Sequence, residues 1–501
     1  MLFRSPDRIR RTGSARAVAD EVQAWLEAET DRARRRAQAD ALAADGRACL
    51  QQYRQLERDV ERLRGEREAL AAVLHGWQPV EDKLALAGKD DAVAAARRRL
   101  VETGSEVVTT LGAALAVDGD HPAARELLAD FYWDRFCDAE DKLDDDGCAF
   151  YAKLVATYHG GKYARQLGGD GSLELASDPP GAEVILHRYR ERGFVLRADD
   201  AGERLGETPL GPTTVAMGSY LLVLRAPGCR DVRYPVYISR NRDWRGTVNL
   251  YRDGDIGAGF VYVPAGPYIS GGDPDTRGWS GPRCEPDLGD FAIAADPVTL
   301  AEYLQFLDHL AAADLDQALA RSPRRTDGGR YLEPDASGRL RVPPDDVERD
   351  GWRLDWPVMG VSWDDARAYL SWRSERDRRR YRLPTEQEWE KAARGVDGRF
   401  YPWGNRFDPS LCNMRDSHEH GPRLTPTDGF PLDCSPYGVR GLAGNTRDWT
   451  ASAWQDGPAR VVRGGAWIND GVSARAAARY WHVPDDLDGN IGFRLALTPE
   501  R

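Results

Sequence analysis

The stretch Arg382–Gly395, RLPTEQEWEKAARG, carries both of its own helix ends. Thr385 followed three residues later by Glu388 is a capping box, Pro384 stands just ahead of the cap, and Gly395 sits where a C-terminal glycine closes a short helix. The sequence around it is rich in Gly, Pro and Trp and poor in long periodic runs, so this helix must be a fixed point among short strands and ordered loops. Two more capped helices are expected upstream. Thr299 and Glu302 open one that buries Tyr303, Phe306, Leu307 and Leu310, and Ser362 caps one that buries Trp363, Ala366, Tyr369 and Leu370. The module holding all three spans residues 256–498, opens on the apolar strand Phe260–Val263, and carries Arg321–Asp355 as a surface excursion.

The rest of the chain reads differently. With 501 residues, two to four domains are expected. Residues 1–167 read as a helical scaffold. Ala17, Val18, Val22, Trp25 and Leu26 share one helical face, and from residue 28 to 103 Ala, Arg, Glu and Leu with charges of both signs predict long helices, as an antiparallel pair or coiled coil. Near Gly168–Gly171 the composition switches. Residues 172–252 alternate apolar and polar with turn signals between, the pattern of a small β-sandwich. The expected fold class is therefore multidomain α+β.

A net charge of −12 argues against nucleic acid and anionic membrane surfaces as partners. No run of residues approaches the ~20 apolar positions of a membrane span, and Met1–Gly13 lacks the apolar centre of a signal peptide, so a cytoplasmic location is expected. The 7 cysteines are scattered and without a CxxC, which reads as reduced thiols rather than a disulfide framework or zinc site. His418 and His420 read as a polar loop, because no third and fourth ligand stand nearby.

Five blocks carry a family resemblance: Arg382–Gly395, Tyr401-Pro402-Trp403-Gly404-Asn405, Gly444–Trp449, Arg463-Gly464-Gly465-Ala466-Trp467 and Gly492-Phe493-Arg494. Together they resemble the formylglycine-generating enzyme (sulfatase-modifying factor) family, whose fold is shared in outline with C-type lectins. Pro180-Gly181-Ala182, Gly206–Leu210 and Gly218-Ser219-Tyr220 resemble the PEGA domain, a spacer or adhesion module, with a polar insertion at Arg188–Arg204 expected to form a longer hairpin. Residues 14–27 resemble the last helix of a bacterial Hanks-type kinase domain, and residues 121–140 one tetratricopeptide-type repeat among helical pairs, which implies a protein partner for the N-terminal helices. No kinase motif accompanies that likeness.

The resemblance implies chemistry that the residues then restrict. Oxidase members of the family hold copper with two cysteines just after the RGG block, since soft thiolates select Cu(I). Here Asn469 and Ala474 align with those cysteines and no Cys follows Cys434, so copper and formylglycine formation are not expected. The non-haem iron branch takes histidines from an HxxxH-type helical bundle, which residues 14–165 lack. The family also implies a structural calcium, held by the block matching Ala443, Gly444, Thr446 and Asp448, and a second involving Asn413. Asp448 stands in place of the family's usual Glu and Arg447 in place of its usual Trp.

What remains is the segment Trp467–Asn490, with Trp467, Asn469, Asp470, Tyr480, Trp481, His482 and Asp486 flanked by Arg494. Aromatic faces beside hydrogen-bonding groups suit recognition of a protein or glycan ligand. The reading is a non-catalytic binding module, with an oxidoreductase of the same superfamily as the competing one. Ile468–Ser473 also resembles the diversified region of retroelement-mutated variable proteins that share the lectin-like fold.

Overall fold

The computed structural model describes residues 15–74, 78–142, 144–276, 278–325, 327–343 and 352–500. The reading of Met1–Gly13, and the middle of the Arg321–Asp355 excursion, lie outside them. The chain forms two compact units, Met1–Gly168 and Gly169–Arg501.

In the first unit a single helix, α1, runs from Ala15 to Ala72. Helix α2 (Leu84–Val117) returns antiparallel along it, as Gly46 facing Leu111, Gly104 facing Tyr53 and the Lys89–Glu66 ion pair show. Helices α3 (Pro122–Asp141) and α4 (Asp145–Tyr158) follow and pack together; the stretch 121–140, read as a whole tetratricopeptide-type repeat, makes only the single helix α3. Their core gathers Leu50, Tyr53, Val107, Leu111, Leu128 and Phe131. Of the apolar face expected near the start of α1, Val22, Trp25 and Leu26 are exposed among the described residues, Trp25 by 58%. One described helical stretch, Val80–Val117, is long and apolar enough by length and composition to cross a membrane, which the run-length reading passed over. Its Thr103, Gly104, Val107, Leu111 and Ala114 are buried.

The second unit begins with eight strands, β1 (Gly171–Asp178), β2 (Glu183–Arg192), β3 (Val195–Ala198), β4 (Glu203–Glu207), β5 (Leu210–Val215), β6 (Gly218–Arg225), β7 (Val232–Ile238) and β8 (Asp243–Asn249). They make one sheet ordered β5-β1-β8 and another ordered β3-β2-β6-β7 with β4 pairing β2. Alternate residues, Leu173, Leu175, Val184, Leu222, Leu224, Val236 and Val248, meet in one core between them. The polar insertion is the hairpin β2–β3, turning at Gly193 and Phe194. It reaches the C-terminal module, where Leu196 N–H donates to the Trp403 carbonyl and Arg406 pairs with Glu191. That is why these strands and the C-terminal module form one compact unit.

The C-terminal module sets β9 (Phe260–Val263), β10 (Phe291–Ala294) and β15 (Ala496–Leu497) in one sheet, and β11 (Arg447–Ala453), β12 (Arg460–Arg463), β13 (Arg479–His482) and β14 (Ile491–Gly492) in another, ordered β13-β12-β11-β14. Helices α5 (Leu300–Ala313), α6 (Trp363–Asp377) and α7 (Glu386–Arg394) each begin in a capping box, at Thr299, Ser362 and Thr385. The core between α5, α6 and the sheet holds Tyr303, Phe306, Tyr369, Trp449 and Phe493. Gly395 ends α7 with φ +70, a left-handed turn that only glycine takes without strain.

Candidate functional site

The site is built on the two faces of the sheet β13-β12-β11-β14. Side chains alternate along a strand, so Asp448, Arg463 and Arg479 share one face, while Arg447, Trp449, Val462, Tyr480 and His482 share the other.

Helix α7 lies over the first face and presents Glu386, Trp389 and Glu390, three and four residues apart and so on one side of the helix. Glu386 accepts from Arg479 Nε and Nη2 at 2.7 and 2.9 Å. Glu390 accepts from Arg463 at 2.6 Å and from Arg394 at 3.0 Å. Trp389 Nε1 and Arg494 Nε donate to Asp448 Oδ2 at 2.8 and 2.6 Å. Arg494 also donates to the carbonyls of Arg440 and Gly441 at 3.0 and 2.9 Å. Burial holds the Asp448 carboxyl above its usual value in spite of Arg494.

This face corrects one expectation and bears on another. Arg494, placed among the ligand-binding residues, is fully buried and serves as the counter-ion of Asp448. Several of the groups expected around calcium have partners within the protein. Asp448 is held by Arg494 and Trp389, Asn413 Oδ1 contacts His418 Nε2 at 2.9 Å, the Gly444 carbonyl accepts from Thr446 N–H, and the N–H groups of Ala443 and Gly444 donate to Asp433. Asp433 is buried deeply enough that its carboxyl is pushed up to about 7, although those N–H groups pull it down. Arg494 thus competes with a cation for Asp448 Oδ2, while the other carboxylate oxygen, Oδ1, is buried without a hydrogen-bond partner.

The opposite face is less complete. Tyr480 stacks on the Arg447 guanidinium, 4.1 Å from charge centre to ring centre, its hydroxyl lies 3.1 Å from Ser473 Oγ, and Trp279 stands 5.5 Å from its ring. His482 Nδ1 meets Asp486 Oδ2 at 2.6 Å and lays its ring edge against Trp449. Trp481 points the other way and is 48% exposed. Asn469 Oδ1 accepts from Ala466 N–H at 3.0 Å and Asp470 caps the turn at Ser473, so both shape the loop. Ala474 is packed among Tyr401, Trp403, Cys412, Met414 and Ala443.

Beside this face lies a cavity of about 600 Å³ walled by Tyr331, Trp352, Trp356, Met359, Leu424 and Trp467, with Arg325, Arg353 and Arg423 at its edge. Three buried polar atoms on its lining residues, Trp356 Nε1, Trp467 Nε1 and Thr425 Oγ1, have no hydrogen-bond partner. Unsatisfied buried donors are uncommon and costly, and apolar walls with a few convergent polar groups are the ordinary makeup of a ligand pocket. Of the residues singled out in the sequence, only Trp467 lines it. Tyr331 and Trp352 were read as part of a surface excursion, with Trp356 just beyond its end; large aromatics in and beside a Pro- and Arg-rich loop were the signal that could have found them.

Residues 252–499 match the family model described as Sulfatase-modifying factor enzyme 1-like domain. The mouse protein named Inactive C-alpha-formylglycine-generating enzyme 2 is 35% identical over 278 residues, 48% of this chain and 86% of that protein. A formylglycine-generating enzyme of Thermomonospora curvata is 30% identical over 305 residues, 49% of this chain and 95% of that one. Among solved structures, PvdO from Pseudomonas aeruginosa matches with a TM-score of 0.37 and 23% identity, covering 47% of this chain and 93% of that one.

Proposed function

Because this chain belongs to the family of formylglycine-generating enzymes and their inactive relatives, we propose that it is a non-catalytic member that binds a protein or glycan ligand. One observation carries the reading. The positions that align with the family's copper cysteines hold Asn469, which fastens the turn at Ala466, and Ala474, which is buried among aromatic side chains. A carboxamide tied into the backbone and a methyl group in a core cannot bind Cu(I) or carry its oxygen chemistry.

Binding is supported by the cavity beside Trp467 and by Tyr480 and His482 on the same face of the sheet, where aromatic surface meets hydrogen-bonding groups. A relative whose own name calls it inactive agrees with the loss of the thiols. The long helices of the first unit would then dock a protein partner, and the strands of residues 172–252 would act as a PEGA-like spacer fused to the binding module. Elemental analysis of the purified full-length chain tests the proposal. Copper and iron far below one per chain are expected; a stoichiometric amount of either would favour the oxidoreductase reading.

A further inference from the structure

We propose that Arg447 anchors a carboxylate-binding site beside the aromatic cavity, so that the ligand of this module carries a carboxylate; the proposal rests on the binding-module reading above. Arg447 is 9% exposed, and its Nε is buried with no hydrogen-bond partner. Among the described residues it forms no ion pair, and the face of Tyr480 is the group that touches its charge. The five other buried arginines of the module are all paired: Arg394 and Arg463 with Glu390, Arg399 with Asp397, Arg475 with Asp273 and Arg494 with Asp448. A guanidinium taken out of water without an anion is costly, and an aromatic face replaces only part of what is lost.

The surroundings say what anion would complete the site. Tyr480 covers a face of the guanidinium, so an anion must approach in its plane, where the planar N–H fork matches a carboxylate. Asp488 is near enough for its charge to be felt at Arg447, which disfavours a dianion such as phosphate. One more unpaired buried group lies on an adjoining residue, the Thr446 hydroxyl, which can donate, and the Asn490 backbone carbonyl accepts the Arg447 N–H. The segments on either side border the cavity. Asn445 bonds to the backbones of Thr425 and Trp467, both lining residues, and Gly489 lies against the hydroxyl of Tyr331, another. A ligand with its carboxylate at Arg447 and an apolar group in the cavity would satisfy both halves of the site.

The test is a thermal-shift titration of the full-length chain with sodium acetate, benzoate and phosphate against sodium chloride at matched ionic strength, repeated on Arg447→Met and Arg447→Lys. At ten times Kd, acetate and benzoate should raise Tm by about 3 °C, with benzoate acting at lower concentration. Phosphate should give no more than chloride. Arg447→Met should abolish the carboxylate shift, and Arg447→Lys, which keeps the charge but not the fork, should reduce it. A capped peptide with a single Glu, compared with its Gln counterpart, separates a protein-borne carboxylate from a free one. No carboxylate-specific shift in the native chain, an undiminished shift in Arg447→Met, or an equal shift with phosphate would overturn the proposal. Failure of the binding-module reading would show itself separately, as oxygen turnover by the native chain.

Discussion

The two faces of the sheet β13-β12-β11-β14 treat buried charge in opposite ways. Under α7, Asp448, Arg463 and Arg479 each have a counter-charge within hydrogen-bonding distance, supplied by the helix or by Arg494. Across the sheet, Arg447 has an aromatic ring and, among the described residues, no ion pair, and the buried indole N–H groups of Trp356 and Trp467 have no hydrogen-bond partner. A paired buried charge is part of how the fold holds itself together. An unpaired one is a cost that a partner from outside can remove, so the second face is the one to associate with ligand.

The comparison is broken most severely by disturbing the paired face. Glu390→Gln leaves the fully buried Arg463 and its neighbour Arg394 without a counter-ion. It should cost about 3–5 kcal/mol in chemical denaturation of the second unit. A loss below about 1 kcal/mol would mean that these pairs do not hold the sheet to α7.

A matched pair of tryptophan substitutions sharpens the contrast. Trp389→Phe removes the donor to Asp448 and should cost about 1–3 kcal/mol. Trp467→Phe removes an indole N–H that has no partner, and should change stability by less than ~0.5 kcal/mol while altering the response to benzoate. Equal costs for the two would erase the distinction between the faces.

The smallest effect is expected from chelation. With Arg494 meeting Asp448 and the carbonyls of Arg440 and Gly441, EDTA should leave Tm of the full-length chain unchanged. A drop of several degrees would place a cation where the guanidinium now stands.

Local signals were legible in the sequence. The caps at Thr299, Ser362 and Thr385 fixed three helix starts because a capping box involves residues only three apart. The hairpin at Gly193 and the long helices of the first unit follow equally from short-range pattern. Pairing is not local. Arg494 and Arg447 look alike in sequence, each inside a family block, yet one pairs with Asp448 and the other, among the described residues, forms no ion pair; only the fold decides that. The cavity likewise draws its walls from the 325–359, 422–426 and 467 stretches, which no spacing rule connects.

The central claim, that this module recognises rather than oxidises, is tested most directly by oxygen consumption. The native chain, supplied with Cu(I) and reductant, would be given a cysteine-containing sulfatase peptide. The account predicts uptake no faster than a blank lacking the protein, with the peptide's cysteine recovered intact. Peptide-dependent oxygen uptake that yields formylglycine would contradict it.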